Sequence, residues 1–161
     1  MVVPWFAGAV TALPLLLGAG SLVEKGYETC GAITGKLAVM LPNANPICQP
    51  GNDDGKIAIV VVSPVPILQS ADAKPGWFIA TVTAVGMEAR AAGIQDFTTL
   101  FVTDFELMRT LDTYTIPVAR AAVLQQQIHD DRITGKAYLD AVMHEMVPTK
   151  LPNRLISKES R

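Results

Sequence analysis

No lysine, arginine, aspartate or glutamate stands among the first 23 residues, and across all 161 residues charged side chains make up only 17%. Ordinary globular chains carry about 25%. Cysteine and histidine are scarce, with two of each. These shortages exclude several functions. Two cysteines outside a C-x-x-C arrangement cannot close a four-ligand zinc site. A net charge of −2 with mixed signs offers no basic surface for nucleic acid. The one cationic cluster, Lys150, Arg154, Lys158 and Arg161, is interrupted by Glu159 and reads as a solvated tail over 151–161.

Catalytic signatures are missing as well. There is no G-x-S-x-G elbow. The run Gly31-Ala32-Ile33-Thr34-Gly35-Lys36 lacks the spacing of a phosphate-binding loop. His144-Glu145 begins like a zinc-protease helix, but Pro148 stands where the second histidine belongs. His129 and His144 therefore read as surface histidines. Asn52-Asp53-Asp54-Gly55 offers hard oxygen donors, yet no distal glutamate follows to complete a calcium loop, so it reads as a turn. The expectation is no metal and no cofactor.

What the chain does have is an uncharged opening. Val2 to Val23 is long enough to cross a lipid hydrocarbon core as a helix. Three readings compete for residues 1–23. The small residues Gly18-Ala19-Gly20-Ser21 after an apolar centre fit a cleavable secretory signal, although no basic residue precedes it. Trp5 and Phe6 suit the interface of a retained membrane anchor, although Pro14 would kink it. A buried apolar segment is the third. The signal is the preferred reading, and an exported chain would join Cys30 to Cys48 in a disulfide.

Residues 24–150 read as one α/β domain. Lys36–Leu41 and Lys56–Val62 read as strands, the second apolar on both faces and so interior to a sheet. Ser63-Pro64-Val65-Pro66 ends it. A helix follows, with Asp72 as N-cap, Pro75 in its first turn and Gly93 as its stop; without charge from Trp77 to Met87, it reads as sandwiched. Asp96–Asp104 is a further strand, which makes a βαβ crossover with two parallel strands. Phe105–Arg109 reads as a short helical turn. Helices then open at Thr115-Ile116-Pro117 and at Thr134 and form an αα-hairpin. The expected architecture is thus a small two-layer or three-layer domain with about three strands.

Ligands of open α/β sheets gather beyond the carboxyl ends of the strands. That places Ser63, Thr103, Asp104 and Arg109 together as a candidate binding site for a small-molecule ligand of unknown identity, with a plain capping role for Asp104 as the structural alternative. The function these features favour is an exported, periplasmic or secreted, non-enzymatic binding or accessory protein with a protein partner in the cell envelope. Two alternatives stand beside it: a membrane-anchored subunit of a larger membrane complex, and a small hydrolase or transferase acting at the strand ends.

Overall fold

The computed structural model describes residues 17–50, 56–93, 98–107 and 109–152, and within them the β-branched run Ile57–Ser63 is an inner strand, as its two apolar faces require. It is β2 of a five-stranded mixed sheet ordered β1–β2–β3–β4–β5, with β1 at Asn45–Pro50, β3 at Thr98–Glu106, β4 at Arg109–Pro117 and β5 at Val147–Thr149. Only β2 and β3 pair in parallel; the other neighbours are antiparallel. Four helices complete the described chain: α1 (Leu17–Met40), α2 (Ala73–Ala92), α3 (Val118–His129) and α4 (Gly135–Glu145).

Every helix packs into one apolar cluster on a single face of the sheet. Ile57, Ile59 and Val61 of β2, Leu100 and Val102 of β3 and Ile116 of β4 supply the sheet side. Cys30, Ile33, Leu37, Phe78, Val82, Val85, Ala121, Leu124, Tyr138 and Val142 supply the helical side. The alternate residues Val60, Phe101, Thr103 and Thr113 are buried too, on the opposite face.

The expected βαβ unit is present as β2–α2–β3. Helix α2 buries Phe78, Thr81, Val82, Ala84, Val85, Gly86 and Ala89, more than one stripe, because it is held between the sheet and the other helices. Polar ties connect its neighbours to it: Lys36 of α1 to Glu88 at 3.0 Å, Gln125 of α3 to Arg90 at 2.6 Å and Tyr138 of α4 to Thr83 at 2.7 Å. The helix stops at Gly93 in the left-handed conformation, φ 66°.

Several expectations need correction. Residues 36–40 are not a strand but the end of α1, and Leu41 follows it directly: Cys30, Ile33, Leu37 and Leu41 are buried at helical spacing, whereas Val39 is 80% exposed. The expected leader, residues 1–23, lies mostly outside the described residues, which begin at Leu17 with this helix. Phe105–Arg109 is no helical turn, because Glu106 pairs with Arg109 across a β-hairpin whose Leu107 takes φ 47°. The helix expected from Thr115 begins only at Val118; Thr115 and Ile116 belong to β4, and Pro117 is extended at the N-cap position. Asp72 occupies the N-cap position of α2 without a side-chain capping bond; the Ser70 hydroxyl instead accepts from the Ala73 amide at 3.2 Å. Five strands therefore replace the expected three. The C-terminal pair of helices differs in detail from the expected αα-hairpin, since both helices lean on α2 and the chain returns to the sheet as β5. The Thr134 cap stands as expected, its hydroxyl accepting from the Ala137 amide at 3.2 Å.

Gly86 marks the closest approach of α2 to α3. A Cβ there would lie 2.7 Å from the Ala121 carbonyl oxygen and 2.9 Å from the Gln125 Cβ. Gly86→Ala gains about 1 kcal/mol in helix propensity but overpacks backbone at a cost of about 1–3 kcal/mol. A net loss of stability is expected in urea denaturation. Gly35→Ala, on the exposed side of α1 with nothing within 4 Å of the added carbon, is expected to raise stability by up to ~1 kcal/mol.

Candidate functional site

The parallel register of β2 and β3 brings two of the four sequence-predicted residues side by side. Ser63 pairs with Asp104 at the end of the strands, and both are fully buried on the helix-covered face. Alternation sends Thr103 to the opposite face, where its hydroxyl meets that of Thr113 at 2.7 Å and lies 3.0 Å from the Asp112 carbonyl oxygen. Arg109 is exposed at the hairpin tip, opposite Glu106. The structure thus joins the side chains of Ser63 and Asp104, turns that of Thr103 to the other face, where its hydroxyl lies 3.3 Å from the Asp104 backbone carbonyl, and leaves Arg109 apart.

Asp104 is a cap, but not of the segment that follows it in sequence. Its Oδ2 accepts the Leu68 amide at 2.6 Å, across 36 residues of sequence. Leu68 lies in the single 3-10 turn Ile67–Gln69 of the β2–α2 connection. Asp104 Oδ1 is buried and has no hydrogen-bond partner among the described residues. Burial raises the carboxyl above its ordinary value; the Leu68 amide works against that rise, and the nearby Asp112 charge adds to it.

The Ser63 hydroxyl is equally committed. It donates to the Val65 carbonyl at 2.7 Å and receives the Val65 amide at 3.4 Å, which closes a tight turn as the strand ends. A serine held in this way presents no free nucleophile to a substrate.

Four residues that sequence reasoning did not single out surround this buried pair with polar groups. Gln69 donates its side-chain amide to Asp112 Oδ2 at 2.7 Å, joining the connection to β4. Lys74, in the first turn of α2, sits 5.5 Å over the Tyr114 ring and 3.5 Å from its hydroxyl. Tyr114 in turn meets Phe78 edge-on, with ring centroids 4.9 Å apart. The available signal was Asp112 and Tyr114 at period two in a threonine-rich segment, which is the mark of a strand face.

Among the described residues, no cluster of three or more His, Cys, Asp or Glu side chains is placed to hold a metal. Chemically, the arrangement is a rim of amide, carboxylate, ammonium and phenol groups over a buried carboxyl that holds the connection down. No family model, curated protein or solved structure matches this chain.

Asp104→Ala leaves the buried Leu68 amide without its acceptor, and a loss of about 1–3 kcal/mol is expected in urea denaturation at neutral pH. Asp104→Asn keeps a carbonyl oxygen for that amide and is expected to lose less.

Proposed function

We propose that this chain is an exported binding or accessory protein without catalytic activity of its own, working in the periplasm or outside the cell with a protein partner. The Cys30–Cys48 disulfide carries this reading. It fastens α1 to β1 over a sequence separation of 18 residues, with the two Cα atoms 5.1 Å apart. Such bonds form and last in oxidising compartments and are rare where glutathione keeps thiols reduced.

Among the described residues, no helix is long and apolar enough to cross a membrane. One further feature agrees with the reading. The polar groups at the strand ends are engaged with one another and with backbone, which suits a preformed surface for recognition more than a site that activates a nucleophile. The exposed Gln69–Asp112 pair and the half-buried Lys74–Tyr114 pair are the groups we assign to that surface.

Thiol labelling of the native protein after cell fractionation tests the reading. The expected outcome is recovery from the envelope or medium with neither cysteine labelled before reduction. Recovery from cytosol with both thiols reactive would overturn it. Reduction of the purified protein is expected to lower its stability by roughly 3 kcal/mol, the loop-entropy contribution of a bridge of this span, read as a fall in the urea midpoint.

A further inference from the structure

We propose that Asp104 is a proton-operated latch on the β2–α2 connection: the neutral carboxyl holds the Ile67–Gln69 turn against the end of the sheet, and the ionised carboxylate releases it. The proposal is independent of where the protein resides.

The geometry supplies each part. The carboxyl is fully buried within the protein. An ionised carboxylate presents about four acceptor positions. Here the Leu68 amide satisfies Oδ2, the flanking Ile67 and Gln69 amides donate to the Val65 and Pro66 carbonyls, and Oδ1 has no partner among the described residues. A neutral carboxyl keeps the same carbonyl contact to Leu68 and leaves a single hydroxyl unpaired, a smaller cost than an unpaired buried charge.

The charged surroundings reinforce this. From β4, Asp112 disfavours a second negative charge at Asp104. From α2, Lys74 is turned to Tyr114. Neither the 3-10 turn nor the facing residue Ser63 of β2 carries a charge.

The backbone of the segment it holds has few ties to the sheet. Pro64 and Pro66 remove two backbone donors from the connection, and Val65 between them is half exposed. The Leu68 side chain stays seated in the core, so release concerns the backbone of the turn and its surface tie, Gln69 to Asp112. Lifting the turn would bring water to Asp104 Oδ1 at the expense of the Gln69–Asp112 hydrogen bond. That motion would also reshape the rim.

The sign follows from linkage. A carboxyl whose value in the closed state is raised contributes stability that is complete below the ordinary value of 3.8 and declines as pH rises towards the raised one. Opening should therefore increase by up to about tenfold per pH unit across that interval and level off above it.

Amide hydrogen exchange of the whole chain, corrected for intrinsic base catalysis and followed between about pH 4 and 8, reads this directly. Protection at Leu68 and Gln69 is expected to fall with pH in the wild type, while amides in the middle of β2 stay constant. Asp104→Asn should abolish the pH dependence. Asp112→Asn, which leaves the latch in place, should bring the levelling-off to lower pH and does not depend on whether Asp104→Asn folds. Flat protection at Leu68 across the range would overturn the proposal. So would an Asp104→Asn profile with the wild-type slope, or an Asp112→Asn profile that does not shift.

Discussion

Parallel pairing of β2 with β3 is the constraint from which the remaining arrangement follows. Two neighbouring strands that run the same way cannot be joined by a hairpin, so the chain must cross the sheet between them. Helix α2 makes that crossing, and it then lies between the sheet and the helices packed outside it. Its composition answers to this position, with alanine, valine and glycine where a surface helix would carry charge. Gly86 admits the backbone of α3 at a distance no side chain would allow. The same pairing puts Ser63, the last residue of β2, beside Asp104, two residues before the end of β3, and leaves the connection to α2 to fold down over both.

The edges of the sheet obey a different requirement. An exposed strand edge invites pairing with another chain. Strand β1 contains Pro46 and Pro50, and the short β5 contains Pro148, so each edge lacks part of its hydrogen-bonding capacity. The disulfide acts at one of these edges. It joins β1, which among the described residues has a single ladder partner, to a helix packed in the common core, and so fastens that edge.

Sequence alone made the centre of the molecule legible and the periphery much less so. Strand β2, helix α2 and strand β3 carry long, unambiguous patterns, and they stand where those patterns put them. Residues 36–41 misled because the five apolar residues after Lys36 fit either period, and only Leu37 together with the preceding Cys30 and Ile33 reveals the helical one. Strand β4 misled for the opposite reason: Thr115-Ile116-Pro117 carries a helix-start signature, and that signature does mark a boundary, but from the strand side. The hairpin at Leu107 offered no glycine or asparagine to announce it, since a leucine takes the positive φ there. The candidate site shows the same limit. Strand ends pointed to Asp104 and Ser63, but the Leu68 amide that Asp104 holds lies 36 residues away, and no local pattern reports a backbone donor at that range.

That long-range contact also separates what folding needs at position 104 from what it does not. The connection must lie down across the end of a parallel pair, and its buried Leu68 amide needs an acceptor there. A neutral side-chain carbonyl meets that need without bringing charge into the interior. An aspartate meets it too, but adds a proton equilibrium, an oxygen left without a partner and repulsion from Asp112. Packing accounts for the acceptor and not for the acidity. The acidity is the property through which the pH outside the protein can act on the segment that shapes its polar rim.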